Sequence, residues 1–230
     1  MMSIQPDFSD NVRIFTNKLA EREFSRIFGF SADVLRNAAI AALREARETS
    51  DLHSQLSAPG ARFYHRFVEA VREEVDMLDG WSANREADNK TSPRARRTDG
   101  LAFAFKQGNA STGVIEGVPQ PKNKLGVVTV LELQNNNAAE EPEQLSFDEL
   151  SAEAEARPQT LWLLLFHRDV DDRHVSLEVS LPIGVTDDGK ILGWDKRIVL
   201  GETGIDSRIV EVRDDGRNEG DDTAVAISAR

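Results

Sequence analysis

The sequence contains no cysteine among its 230 residues, which excludes disulfide bonds, thiolate zinc sites and cysteine nucleophiles. No apolar run approaches the roughly 18–20 residues that a membrane-spanning helix needs. Residues 1–9 lack the basic segment and following apolar stretch of a secretory signal. Phosphate-binding glycine loops, Rossmann fingerprints and Gly-x-Ser-x-Gly elbows are also missing, so cofactor-dependent and serine-hydrolase chemistry are poorly supported. We therefore expect a cytoplasmic protein that makes no membrane contact.

Charge is distributed unevenly along the chain, whose 28 basic and 40 acidic side chains give a net charge of −12. Residues 1–125 carry 18 basic and 17 acidic side chains, whereas residues 126–230 carry 10 and 23, a balance of −13. Binding of nucleic acid depends on basic surface that neutralises phosphates. We therefore expect any nucleic-acid contact in the first half, while the acidic second half suits a basic protein partner.

The spacing of apolar residues predicts helices before Gly80 and strands after Pro93. The three predicted helices span about 10–28, 31–46 and 60–78. The segment Trp81–Pro93 is polar and without a period, so it is predicted to be a loop. The predicted organisation is an N-terminal helical lobe packed on the core over 1–80, a mixed α/β core over 81–212 and an acidic tail over 213–230.

Within the core, the β-branched run Gly126–Gln134 is the strongest predicted strand. The capping-box spacing of Ser146 to Glu149 predicts a helix that Pro158 ends. Thr160–His167 is almost continuously apolar, which indicates a strand buried on both faces. The other predicted strands are Leu101–Phe105, Gly113–Val118, His174–Leu181 and Lys190–Leu200. A helix between apolar strands is typical of a parallel crossover, so we expect an α/β fold with a mixed β-sheet flanked by helices.

The predicted order over about residues 60–168 is α-β-β-β-α-β. Its third strand ends in Glu132-Leu133-Gln134, and Asp99 lies at the entry to its first strand. This order resembles the core of the PD-(D/E)XK, or restriction-endonuclease-like, nuclease superfamily. In that family an early Asp and an acidic-x-Lys triplet on the third strand hold a divalent metal. Here Gln134 stands where the family usually has Lys, and Glu116 lies on the second predicted strand, where the family usually has the Asp.

The resemblance implies a Mg²⁺-dependent phosphodiester hydrolase. Its candidate catalytic residues are Asp99, Glu132 and Gln134, and its candidate metal ligands are Asp99, Glu132 and Glu116. Carboxylate and phosphate oxygens are the ligands that Mg²⁺ prefers, and the bound ion would supply the nucleophile and stabilise the leaving oxygen. On this hypothesis, Glu132→Ala abolishes cleavage and leaves the fold intact. The basic residues that would contact phosphates are Lys90, Arg94, Arg96 and Arg97.

Each candidate also has an ordinary structural interpretation. Glu132 would lie where its strand reaches solvent, Asp99 in a turn, and Glu116 on a solvated strand face. The basic cluster would belong to a solvated loop. The alternative functions are an inactive relative of the nucleases, an acidic interaction module that binds a basic partner, and a regulatory domain that forms a homodimer.

Overall fold

The computed structural model describes residues 12–49, 52–85, 88, 92–136, 160–169, 171 and 173–207. Within these ranges the chain forms four helices and seven strands. The helices are α1 (Asn17–Phe28), α2 (Asp33–Arg47), α3 (Ala58–Asp76) and α4 (Val127–Asn135). The strands are β1 (Arg13–Phe15), β2 (Trp81–Ser82), β3 (Arg94–Arg97), β4 (Leu101–Gln107), β5 (Thr160–Arg168), β6 (His174–Val185) and β7 (Ile191–Gly204).

The seven strands form one mixed sheet in the order β1-β7-β6-β5-β4-β3-β2. The β4–β5 and β1–β7 pairs are parallel, and the other neighbours are antiparallel. From α3 to β5 the chain therefore runs helix, three antiparallel strands, helix, parallel strand. Helices flank the sheet, which confirms the predicted α/β class.

Helices α1, α2 and α3 pack on the sheet through a core that is rich in aromatic rings. Phe28, fully buried, lies near its centre, with ring centroids 4.7 Å from Phe24 and 5.5 Å from Trp162. The apolar stripes of α2 and α3 that the sequence predicts are the faces buried here. Because rings of the helices and of β4 and β5 belong to the same cluster, the N-terminal helices and the sheet share one core.

The opposite face of the sheet is covered by α4 and by the segment that precedes it. Its core includes Leu125, Val130 and Leu133 together with Leu163 of β5 and Trp194 of β7. Successive β5 side chains alternate between this core and the aromatic one, as expected of a strand. Residues 161–166 are all buried, which confirms the prediction of a strand covered on both faces.

The prediction of a strand over Gly126–Gln134, the strongest of the predicted strands, is wrong because this segment forms α4. Val130 and Leu133, three positions apart, both face the sheet, as the helical period requires. The valine-rich sequence favours a strand locally, but burying Val130 and Leu133 on the sheet outweighs that preference.

The predicted strand Gly113–Val118 is also wrong, because this segment is a loop of turns in which Gly113 has a φ of +79°. The meander is instead formed by β2, β3 and β4. Its first strand, Trp81–Ser82, lies in the segment predicted to be a loop. The first predicted helix begins at Asn17 rather than near residue 10, because Arg13–Phe15 pairs with β7.

Two predictions lie outside the described residues: the helix from Ser146 to Pro158, and the acidic tail over 213–230. Among the helices that the structure describes, none combines the length and apolar composition that crossing a membrane requires.

Candidate nucleic-acid interface

Glu132 projects from α4 onto two arginines of β3. Arg94 reaches Glu132 Oε2 with Nη2 at 3.0 Å, and Arg96 Nη2 donates to Oε1 at 2.8 Å. Arg94 also donates to the Thr129 hydroxyl at 2.8 Å. Residues 94 and 96 share one face of β3 because side chains alternate along a strand. Both carboxylate oxygens of Glu132 are therefore occupied by guanidinium groups.

Arg94 cannot contact phosphate in this structure, because its side chain is 0% exposed. Burial lowers the pKa of its guanidinium, while the neighbouring Glu132 acts in the opposite direction. In the described conformation, Arg94 therefore offers no exposed side-chain surface to a nucleic-acid backbone. Arg96 keeps 22% of its side chain exposed beside Glu132.

Asp99 lies in the β3–β4 turn and pairs with Arg97, at 2.7 Å between Oδ2 and Nη2. The Arg97 guanidinium lowers the pKa of this carboxyl group. Arg97 also donates to the carbonyl of Ile27 in α1 and lies over the Trp81 ring. These partners belong to the aromatic face of the sheet, whereas Glu132 lies on the other face.

The remaining candidates are also dispersed. Glu116 is exposed in the loop before α4, and Gln134 donates to Asp187 Oδ1 at 3.4 Å. Residues two positions apart on a helix point about 200° apart, so Glu132 and Gln134 do not share a side as the strand prediction required. Lys90 lies outside the described residues.

The structure does not bring the predicted magnesium ligands together. Glu132 is bound by two arginines, whereas Asp99 is bound to Arg97 on the opposite face of the sheet. Within the described ranges, no three His, Asp or Glu side chains lie together in a way that could hold a metal ion.

The observed meander consists of β2, β3 and β4. Its third strand, β4, carries Ala104-Phe105-Lys106, and Ala104 is paired with Arg94 on the second strand. This pairing therefore places an alanine beside an arginine, with a lysine two residues further along β4.

Lys106 lies near the carboxyl end of β4, beside the ion cluster that Arg94, Arg96 and Glu132 form. Its Nζ donates to the Ser92 hydroxyl at 3.4 Å. Burial, assisted by the positive charge of Arg94, lowers its pKa from 10.5 to about 8, and Glu132 offsets part of the shift. The net charge of this group is positive, because three cations, Arg94, Arg96 and Lys106, surround one carboxylate, Glu132.

Lys106 also lines a cleft of about 610 Å³. Its walls are the N-terminal part of α3, the carboxyl ends of β4 and β5, and residues 121–124. Its basic side chains are Lys106, Lys122, Lys124 and Arg168, with His65 beside them, and none of the described residues that line it is Asp or Glu. In a chain with a net charge of −12, this is a local concentration of positive charge.

The fold fixes the backbone around these cations. The Lys122 amide donates to the Gln107 carbonyl at 2.7 Å, which ties the 121–124 segment to the end of β4. The Gln120 side chain makes two hydrogen bonds to the backbone of Ile191 in β7. Lys122 and Lys124 therefore project from a held segment into solvent.

Arg168 ends β5 and packs on the first turn of α3. Its guanidinium lies 5.3 Å from the centre of the Phe63 ring. A Cβ at Gly60 would lie 3.0 Å from Arg168 Nη2, so glycine leaves room for the arginine. The first turn of α3 has no acidic residue, and the positive end of its helix dipole adds to the charge of the cleft.

Comparisons with protein-family models, with curated proteins and with solved structures find no match. The fold and the cleft therefore carry the functional argument.

Sequence reasoning missed three cations of the cleft, Lys122, Lys124 and Arg168. The first two lie in the short segment between Pro119 and Gly126, to which the sequence assigned no function, and the third lies at the end of the most apolar predicted strand. One available signal was the rule that open α/β sheets bind ligands beyond the carboxyl ends of parallel strands. Applied to the end of Thr160–His167, that rule points to Arg168.

Proposed function

We propose that this chain binds nucleic acid through the basic cleft and does not cleave it, as a restriction-endonuclease-like protein without the family's metal-binding acids. One observation carries the proposal: four cations line a cleft to which no described carboxylate contributes. Phosphate neutralisation supplies most of the affinity in sequence-independent binding. The cleft offers such charge in the part of the chain that the structure describes.

The residues at the paired positions of the meander support binding without cleavage. A nuclease of this kind needs two carboxylates on one metal, and the paired positions on β3 and β4 are Arg94 and Ala104. The remaining carboxylate of the cluster, Glu132, already balances Arg94 and Arg96. These contacts stabilise the fold in place of holding a metal.

The binding test uses fluorescence anisotropy with labelled 20-nucleotide single strands and duplexes over a series of salt concentrations. We expect dissociation constants on the order of 1–100 µM near physiological salt, which is typical of non-specific binding. The variant Lys122→Glu/Lys124→Glu should bind at least about tenfold more weakly, with a salt slope lower by about 1.5. The matched control is Lys18→Glu/Arg22→Glu, which reverses two exposed charges on α1 away from the cleft.

Cleavage is followed on the same oligonucleotides with Mg²⁺, Mn²⁺ or EDTA. We expect no cleavage under any of these conditions. Metal-dependent cleavage that Glu132→Ala removes would overturn the proposal and support the nuclease hypothesis. Equal losses of binding in the cleft variant and the α1 control would show that net charge, rather than the cleft, governs the interaction.

The acidic-module hypothesis stays a prediction, as does the homodimer. Of the net −13 in residues 126–230, −9 belongs to residues that the structure does not describe, and −4 to those that it does. Salt-sensitive binding to a basic protein, unaffected by Lys122→Glu/Lys124→Glu, would favour an acidic docking surface over the cleft.

A further inference from the structure

The cleft contains an aromatic wall as well as cations. Tyr64 of α3 lines it, backed by Phe166 of β5 with the ring centroids 6.2 Å apart. His65 lies beside Tyr64 at 5.6 Å, edge to face. Tyr64 is only partly buried, so its ring is both held by the core and open to the cleft.

Cations around an aromatic ring match the chemistry of single-stranded nucleic acid. Unpaired bases stack on aromatic side chains while the backbone follows a positive groove. A duplex keeps its base faces stacked inside, so it offers no base face to the Tyr64 ring. The cleft volume of about 610 Å³ falls within the range of sites that enclose a small ligand.

The charge of the neighbouring surface favours one path for a bound strand. Tyr64 and His65 also line an adjacent groove of about 870 Å³. That groove has three acidic side chains, Glu69, Glu73 and Asp76, and two basic ones, Arg72 and Arg85, so it lacks the positive balance that phosphates require. The favourable path for a backbone therefore lies on the side of Tyr64 that faces Lys122, Lys124 and Arg168.

We propose that the cleft selects single-stranded nucleic acid, with one base against Tyr64 and the flanking phosphates on Lys122, Lys124 and Arg168. This inference rests on the proposed function and specifies its ligand. A strand bound in this way follows the cleft rather than the adjacent groove, whose lining carries no positive balance.

The first experiment compares a single strand with a hairpin duplex of the same sequence by anisotropy. We expect the wild-type protein to prefer the single strand by at least about tenfold, the value of one stacked base. Tyr64→Leu, which keeps apolar bulk without a π face, should lose roughly tenfold in single-strand affinity and leave duplex affinity unchanged. Tyr64→Phe is the matched control and should bind within about twofold of wild type, since the ring remains.

A second experiment uses the wild-type protein and does not depend on the folding of a variant. Tyr64 is the chain's single tyrosine, so nitration by tetranitromethane reports on this residue alone. We expect an unlabelled single strand to slow nitration more strongly than an equal phosphate concentration of duplex does.

The outcomes separate the two proposals. Equal affinity for single strand and duplex, with binding still lost in Lys122→Glu/Lys124→Glu, would overturn the single-strand inference and leave the proposed function standing. Tyr64→Phe as weak as Tyr64→Leu would also overturn it, because the hydroxyl rather than the ring would then matter. No binding to either nucleic acid would overturn the proposed function itself.

Discussion

The two faces of the sheet are stabilised in different ways. On the face that α1, α2 and α3 cover, Phe28 lies within 6.5 Å of five other aromatic rings, measured between centroids. On the face that α4 covers, Arg94 and Arg197 are buried and paired with Glu132 and Glu178. The first face depends on apolar burial, whose strength follows area, and the second also depends on charges that must meet in fixed geometry.

The Arg197–Glu178 pair shows what such geometry organises. Its ion-pair distance is 2.8 Å, with side-chain exposures of 3% and 0%. Arg197 also donates to the carbonyls of Val114, Ile115 and Gly117, and Glu178 accepts from the Gly113 amide. A buried pair that satisfies a loop's backbone in this way fixes that loop although the loop has no regular structure.

The largest effect on the free energy of unfolding is expected from a substitution in the aromatic core. Phe28→Ala removes a ring that is 0% exposed, and such truncations cost about 3–5 kcal/mol through lost burial and the cavity left behind. Urea denaturation followed by tryptophan fluorescence measures the free energy of unfolding. The control is Leu19→Ala on the same helix, where the side chain is 61% exposed and the expected change is below about 0.5 kcal/mol. A loss under 1 kcal/mol at Phe28 would contradict a close-packed aromatic core.

The next largest effect on stability is expected from a substitution in the ion pairs of the opposite face. Glu132→Gln removes the carboxylate and leaves Arg94 buried without its ionic partner, so we expect a loss of about 3 kcal/mol in the free energy of unfolding. Replacing both partners, Arg94→Met with Glu132→Leu, should recover most of that stability because no buried charge remains unpaired. Urea titrations of the two variants make the comparison. A Glu132→Ala protein that is as stable as wild type would instead agree with the metal-ligand hypothesis.

These two faces also show what the sequence could predict of the fold. Helices α2 and α3 and strands β5, β6 and β7 were predicted because their local period coincides with their burial. In α4 the two conflict: Val127, Val128 and Val130 favour a strand locally, whereas packing on the sheet requires a helix. The short strands β2 and β3 gave no pattern because they have two and four residues.

The contacts of the candidate site did not follow from the sequence, for a related reason. The sequence left two interpretations of Glu132 open, a metal ligand or a carboxylate where a strand reaches solvent. Its partners, Arg94 and Arg96, are nearly forty positions away and reach it only once β3 and α4 pack together. Sequence alone does not distinguish an arginine from a metal as that partner. The cations of the cleft are likewise brought together by tertiary structure alone.

A smaller effect, on the pH dependence of binding, is expected at Lys106. This residue lies beside the ion pairs of the charged face and also lines the cleft. Its pKa of about 8 means that it loses its charge at mildly alkaline pH. An anion that raises this pKa by one unit binds about tenfold more tightly to the charged form. We expect single-strand affinity to fall as pH rises through 8 to 9, and Lys106→Met to flatten that profile. An identical profile in Lys106→Met would place the titrating group elsewhere.

Lys106 should also make the free energy of unfolding depend on pH, in the opposite direction to the affinity. Folding lowers the pKa of Lys106 from 10.5 to about 8, so the unfolded chain binds more protons between these values. Stability then rises with pH across that window, relative to Lys106→Met. Urea midpoints of both proteins at pH 7.5, 8.5 and 9.5 test the sign, and a fall relative to the variant would contradict the burial of the amine.

The smallest expected effect concerns Asp99, which completes the contrast between buried and exposed charges. Its pair with Arg97 leaves 52% of the Asp99 side chain exposed, and exposed pairs contribute about 0–1 kcal/mol. We expect Asp99→Asn to change the free energy of unfolding at pH 7 by about 0.5 kcal/mol or less and oligonucleotide affinity not at all. Because Arg97 lowers the pKa of Asp99, the small contribution persists until the pH falls below the usual Asp range. A large loss at Asp99 that matches the loss at Glu132 would mean that the two carboxylates act together, as the metal-site hypothesis requires and as their positions on opposite faces of the sheet do not allow.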